Sequence, residues 1–201
     1  MLTRNTKKLA KATKLRQFSS MAYYRDLQDK YVAHSNQQPA PVVIERGEGS
    51  CLFDTEGKRY IDMIAGNGSV SQGHCHPRLT EAIIRQSIKI NMTSRSLLNT
   101  SLPAAAKYIC DTTGYDMWLP QSTGSEACEA AVKLARKWAY TKKGVQDGHG
   151  DVLFTKGSSW GISIAAGATA EGSVADHFGP HTPGIHSVEY NDARAVENYL
   201  K

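Results

Sequence analysis

The sequence predicts an α/β fold: a short antiparallel meander, then helices alternating with strands of a largely parallel sheet. Three observations carry that reading. Residues 42–46, 50–54 and 59–63 are short runs of strand character, separated by Gly47 and Gly49 and by Thr55-Glu56-Gly57. That spacing and turn chemistry suit a meander. From about residue 115 onward the order reads strand, helix, strand, helix, strand, helix, the alternation of an α/β sheet. The composition is ordinary for a globular chain: 201 residues, 40% hydrophobic and 21% charged, enough for a sizeable core. The longest apolar runs fall far short of the ~20 residues that a membrane helix needs, so no membrane partner is expected.

Taken in order, residues 1–20 come first: MLTRNTKKLAKATKLRQFSS, with Arg4, Lys7, Lys8, Lys11, Lys14 and Arg16 and no acid. Most of the basic residues would share one helical face, and Arg16 to Ser20 resembles a processing region. These are features of a mitochondrial transit peptide; a basic disordered tail is the alternative reading. Subtracting these six charges from the formal +5 leaves the remaining chain at −1. Basicity is thus a property of the tail, and a nucleic-acid partner is not expected.

Residues 22–38 read as a helix or extended arm ahead of Pro39 and Pro41. The meander follows, then Gly66 to Gly73 without helix or strand pattern. From Pro77, Leu79, Ala82, Ile83, Ile84 and Ile88 recur at helical spacing, and Pro suits a first helical turn. Another helix is expected over 103–112. Met117, Trp118 and Leu119 then form a short apolar strand ending at Pro120. A long helix starts near Ser125 and stops before Gly144, with Ala127, Ala130, Ala131, Leu134, Ala135 and Trp138 as its buried stripe. Residues 152–154 read as a strand, 162–170 as an Ala-rich helix and 186–190 as a strand. Asn191 or Asp192 caps a last helix.

Cys51, Cys75, Cys110 and Cys128 show no CxxC spacing and read as free thiols. His74, Cys75 and His76 are adjacent, which prevents all three from aiming at one metal easily, and no second ligand pair follows at the usual spacing. A turn before Pro77 accounts for them better, so no metal site is expected. His34 reads as another turn residue.

The most informative local feature is Ser122-Thr123-Gly124-Ser125-Glu126, between the short strand and the long helix. The first amides of a helix lack internal acceptors, and the helix dipole adds positive potential there. Gly124 allows close approach to the backbone, and the neighbouring hydroxyls can donate. A phosphate is the natural occupant. Plain N-capping by Ser122 or Thr123 accounts for the same residues and stands beside the anion reading.

Over residues 22–201 the chain resembles the ornithine aminotransferases, within the class III pyridoxal-phosphate aminotransferases. The resemblance is carried by Tyr31-Val-Ala-His34, by Glu45-Arg-Gly-Glu-Gly49 with Asp54-Thr-Glu-Gly57, by Gln72-Gly-His-Cys-His-Pro77, and by Thr93-Ser-Arg95. Its most specific part is LPQSTGSEACEAAVKLARKWAYTKKG, residues 119–144, followed by Phe178-Gly179-Pro180, Pro183-Gly184 and Tyr190-Asn191-Asp192. It implies part of a fold-type I pyridoxal-phosphate transferase: an N-terminal arm and meander over 22–76 and an incomplete large cofactor-binding domain over 77–201, behind a transit peptide over 1–21.

The resemblance also implies the chemistry. The family moves the δ-amino group of ornithine to 2-oxoglutarate with pyridoxal 5′-phosphate, whose ring is the electron sink. Thr123, Gly124 and Ser125 then correspond to the phosphate cradle, and Ser159 and Trp160 to the ring side. Tyr31, Asn67 and Ile162 correspond to the substrate side. Three of these depart from the family pattern. Ser159 stands where the family stacks an aromatic on the cofactor ring, Ile162 where it has a carboxylate-binding arginine, and Asn67 where it has a tyrosine that helps select ornithine. Replacing Arg by Ile removes a bidentate contact. The family's Schiff-base lysine and its pyridine-facing aspartate correspond to positions beyond residue 201, so no catalytic residue is assigned and the chain alone is expected to be inactive. The implied partners are a small amino-acid substrate and a second copy or partner chain covering the sheet. The implied location is the mitochondrial matrix, with the cytoplasm as alternative. A degenerate pseudoenzyme serving as an assembly subunit is the rival function. Apart from the resemblance, Tyr31, Trp138 and Trp160 read as packing aromatics in preference to ligand-facing ones.

Overall fold

The computed structural model describes residues 20–33, 39–170, 172 and 176–200. The basic tail, with its transit reading, and His34 lie outside these. The described residues fall into two units that divide between Leu98 and Asn99.

The first unit begins with helix α1, Met21–Tyr31, capped by Ser20, whose hydroxyl accepts from the Tyr23 amide. Strands β1 (Ile44–Glu48), β2 (Cys51–Asp54) and β3 (Arg59–Ile61) pair antiparallel in the order β1-β2-β3. The meander is therefore as the turn residues imply, with an irregularity between Ile44 and Arg46 that shifts the register. Asp54 closes the turn between β2 and β3: it is 2% exposed and accepts from the Tyr60 hydroxyl at 2.8 Å and from the Glu56 and Lys58 amides at 2.9 Å each. Burial pushes its carboxyl up, and these hydrogen bonds with the nearby Lys58 charge outweigh it, so the group titrates below the ordinary range.

Beyond β3 the Gly-rich stretch forms successive turns. It is tied back by Asp62, which accepts from the Ile64 and Ala65 amides and pairs with His74 Nε2 at 2.6 Å. His74 in turn bridges Gly49 through the backbone and presses on Gly47, where an added Cβ would lie 2.7 Å from the imidazole Cγ. Only glycine fits there. His74 is thus a turn residue and Cys75 is exposed at φ 52° beside it. Helix α2 follows, Pro77–Lys89, with Pro77 in its first turn and with Leu79, Ile83, Ile84 and Ile88 exposed. By its contacts α2 falls in the first unit.

The second unit contains α3 (Ser101–Thr113), α4 (Gly124–Lys142), β4 (Val152–Thr155), a 3-10 turn at Ala166–Thr169, β5 (Ile185–Val188) and α5 (Ala193–Tyr199). Strands β4 and β5 pair in parallel, Val152 with Ile185 through Thr155 with Val188. Asp192 caps α5 by accepting from the Ala195 amide. The core is small: Trp160, Ala166 and Ile185, with Cys128, Val132 and Phe154 packed against them.

Three expectations are corrected here. Met117, Trp118 and Leu119 form no strand. A strand exists only through its ladder, and no described segment pairs with them. Residues 162–170 are not an α-helix; only Ala166–Thr169 winds, and as a 3-10 turn. The Ile162 amide is drawn to Ser125, the Ser163 hydroxyl takes the Ala166 amide, and Gly167 disfavours helix by about 1 kcal/mol relative to Ala. Finally, the expected buried stripe of α4 faces outward: Leu134 is 55% and Trp138 54% exposed, and Ala127, Ala131 and Ala135 are exposed too. The helix is apolar on two sides, and it is the Cys128 and Val132 side that meets the Trp160 core. Helical spacing marks an apolar stripe but does not say which stripe finds a partner.

Candidate functional site

The start of α4 is organised by a capping box. Thr123, in extended conformation, is the N-cap; its hydroxyl accepts from the Glu126 amide at 3.2 Å, and the Glu126 carboxylate accepts from the Thr123 amide at 2.9 Å. Two donors are thereby satisfied reciprocally. The two amides between them, of Gly124 and Ser125, have no acceptor among the described residues. An added Cβ on Gly124 would meet nothing within 4 Å, so the space before these amides is open. Two free amides, a 19-residue helix behind them and an open approach at glycine suit the phosphate of pyridoxal phosphate. Capping and anion binding are therefore not rivals here: the cap uses Thr123 and Glu126 and leaves Gly124 and Ser125.

A second segment, residues 159–162, lies across this helix start. The Ile162 amide donates to Ser125 Oγ at 3.3 Å, and Gly161 sits so close that an added Cβ would lie 2.9 Å from that oxygen. Trp160 points the other way. It is 9% exposed, stacks on Phe154 with ring centroids 4.5 Å apart and planes 5° apart, and its Nε1 donates to Thr169 Oγ1 at 2.7 Å. Ser159 and Ile162 are exposed, Ile162 at 96%. This segment thus exposes a serine hydroxyl and an isoleucine, with the tryptophan committed to the core.

Below the site, Arg136 fastens α4 to the sheet. Its guanidinium donates to the carbonyls of Gly150, Pro183 and Gly184 at 2.8–2.9 Å. A groove of about 960 Å³ runs along α4 past Ser125, Glu129, Lys133 and Tyr140. It begins at the helix start, where Gln121, Ser125 and Glu126 line it, and continues along the side of the helix. Nearby, burial and the hydrogen bond to Asp151 push the Tyr199 phenol up.

Tyr31 and Asn67 belong to the first unit. Tyr31 ends α1, is 71% exposed, and lines a depression of about 540 Å³ with Tyr24, Gln28 and Val43. Asn67 is exposed in the turn after β3 at φ 57°, a left-handed conformation that Asn tolerates better than most side chains.

The model of the class-III aminotransferase family matches residues 31–200. The chain belongs to that family. It is 43% identical over 177 residues to a probable mitochondrial ornithine aminotransferase of Caenorhabditis elegans, covering 88% of this chain and 42% of that one. Against the mitochondrial ornithine aminotransferase of Rattus norvegicus the identity is 41%, covering 90% of this chain and 42% of the relative. Among solved structures, an ornithine aminotransferase of Toxoplasma gondii, described with partial occupancy of pyridoxal phosphate at its active site, superposes with a TM-score of 0.88 at 34% identity. It covers 96% of this chain and 45% of its own. The chain therefore spans somewhat under half the length of these relatives, and its α/β architecture is that of fold-type I aminotransferases.

Sequence reasoning missed two features of the site. The capping box was legible, since Thr-x-x-Glu at a helix start is its signature. The contact of Ser125 with Gly161 and Ile162 joins residues 37 apart and had no local signal.

Proposed function

We propose that the chain is an ornithine aminotransferase-like protein whose α4 start holds the phosphate of pyridoxal 5′-phosphate. The observation that carries the proposal is the pair of unpartnered amides, Gly124 and Ser125, at an open helix N-terminus. The family relationship supports the same cofactor. When bound, the cofactor would supply the electron sink for moving the δ-amino group of ornithine to 2-oxoglutarate. This chain's own contribution would be placement. The Gly124 and Ser125 amides would hold the phosphate, Thr123 and Glu126 would keep the helix end in shape, and Ser159 would border the ring. The Glu126 carboxylate, already at the helix start, limits how strongly a dianion is held.

The substrate side supports a narrower role. Tyr31, Asn67 and Ile162 are the positions that the resemblance assigns to a small amino-acid substrate. An isoleucine that is 96% exposed provides no charge-assisted contact to a carboxylate. This observation favours, as a second reading, a chain that keeps the cofactor-phosphate cradle and has lost substrate recognition, an assembly subunit in place of an enzyme. On either reading, a second chain is the proposed cover for the bare apolar side of α4. The mitochondrial matrix is the proposed location, supported by the names of several relatives and by the basic tail.

The test is a titration of the purified chain with pyridoxal phosphate, read by thermal stabilisation, with inorganic phosphate as competitor. Stabilisation by the cofactor whose increment shrinks when inorganic phosphate is already present supports the proposal; no stabilisation at millimolar cofactor overturns it. Ornithine added to the loaded chain separates the two readings: the first expects a further thermal shift from its binding, and the second expects none. A reporter carrying residues 1–35 tests the location: diffuse cytosolic signal rejects it.

A further inference from the structure

The Ser125 hydroxyl is an obvious phosphate donor by residue type, yet its surroundings engage it elsewhere. It accepts the Ile162 amide at 3.3 Å. Gly161 packs on the same side chain so tightly that an added Cβ would lie 2.9 Å from Ser125 Oγ, 3.0 Å from its Cβ and 3.3 Å from its Cα. A close steric seat and a hydrogen bond therefore converge on one residue of the helix's first turn. Trp160, immediately before Gly161, is fixed by its stack on Phe154 and its bond to Thr169. The segment 159–162 is thus held at two points: the Trp160 core on one side and Ser125 on the other. Ser159 and Ile162, the exposed residues of the segment, inherit their positions from these two anchors.

We propose that Ser125 is a positioning residue. Its hydroxyl latches the Gly161–Ile162 backbone onto the start of α4 and so sets the spacing between the phosphate cradle and the ring-side segment. The phosphate is left to the backbone amides of Gly124 and Ser125. The inference rests on the phosphate reading of α4, but the latch itself does not. Two consequences separate this role from direct phosphate contact. Removal of the hydroxyl leaves inorganic phosphate binding unchanged, because both amides remain. The same change weakens a ligand that must span phosphate and ring. The expected factor is about five-fold, equivalent to one neutral hydrogen bond.

The experiment compares Ser125→Ala, Ser125→Thr, Gly161→Ala and the Ser125→Ala/Gly161→Ala double variant in the full chain. Each is titrated with inorganic phosphate and with pyridoxal phosphate, and the exchange rate of the Ile162 amide is followed by NMR. The proposal expects faster exchange at Ile162 in Ser125→Ala, recovery in Ser125→Thr, and pyridoxal phosphate affinity lowered about five-fold with inorganic phosphate within two-fold. Gly161→Ala, which displaces the segment while sparing the hydroxyl, should mimic Ser125→Ala. The double variant should be no worse than either single one, the non-additivity of a shared contact. Equal loss of both ligands in Ser125→Ala would make the hydroxyl a phosphate donor and overturn the proposal, as would unchanged Ile162 exchange. If the parent chain binds neither ligand, the phosphate reading fails, and Ile162 exchange alone decides the latch.

Discussion

Truncating Trp160 to alanine tests whether this side chain belongs to the core or to a ligand. The side chain is 9% exposed, stacks face to face on Phe154 at 4.5 Å and donates to Thr169 at 2.7 Å. Its loss removes a large buried surface and the aromatic pair, which together cost about 3–5 kcal/mol. About 1 kcal/mol of that is the indole N–H lost to Thr169, 5% exposed; the Thr169 hydroxyl still donates to the Ala166 carbonyl. A loss of about 4 kcal/mol compares with the roughly 5–15 kcal/mol that holds a whole domain. Trp160→Phe keeps the stack and removes mainly the N–H, so about 1–2 kcal/mol is expected. The assay is urea unfolding followed by circular dichroism in the absence of cofactor. With a slope near 2 kcal/mol/M, the alanine variant's midpoint falls by about 2 M and the phenylalanine variant's by under 1 M. A loss below 1 kcal/mol for Trp160→Ala, or a larger loss for Phe than for Ala, would refute the core assignment and return Trp160 to the ligand side.

Three further outcomes are expected. Thr123→Ala breaks the capping box and should lower stability by about 1 kcal/mol in the same urea assay. Glu126→Gln removes a negative charge beside the proposed anion. At ~6 Å and intermediate screening this is about 1 kcal/mol, so inorganic phosphate should bind several-fold more tightly by NMR titration. Asp62 is held below the ordinary carboxylate range by the His74 hydrogen bond first, then by the Ala65 and Ile64 amides, against an opposing effect of burial. A depressed folded-state value means that its contribution is present above the unfolded value near 3.9 and is lost as pH falls through the lower folded value. Asp62→Asn should therefore destabilise the chain at neutral pH and flatten the acid limb of a pH–stability profile; an unchanged acid limb would contradict the assignment.

The meander, α2, α3, α4, the two parallel strands and the Asp192 cap were legible because local chemistry specifies them: glycine turns, Pro77 at a helix start, period-3.6 apolar residues and cap side chains. What failed depended on partners. Met117 to Leu119 have strand composition but nothing described to pair with. The 162–170 segment has helix-forming alanines but is captured at Ile162, Ser163 and Thr169 by non-local or capping contacts. On α4 the pattern identified an apolar stripe, and the small Trp160 core took the other side. The same holds for the site. Its capped helix start could be read from Thr123 to Glu126, whereas the burial of Trp160 and the seat of Gly161 on Ser125 exist only once the chain has folded.

The central claim is that the Gly124 and Ser125 amides receive the cofactor phosphate. The most direct measurement is an amide-resolved NMR titration of the chain with pyridoxal phosphate, repeated on Gly124→Asp. The largest shifts should fall on Gly124 and Ser125. Gly124→Asp should abolish them, since it places a side chain and a like charge where the phosphate must sit. Equal binding by Gly124→Asp, or shifts concentrated away from the start of α4, would contradict it and leave this helix end as a cap alone.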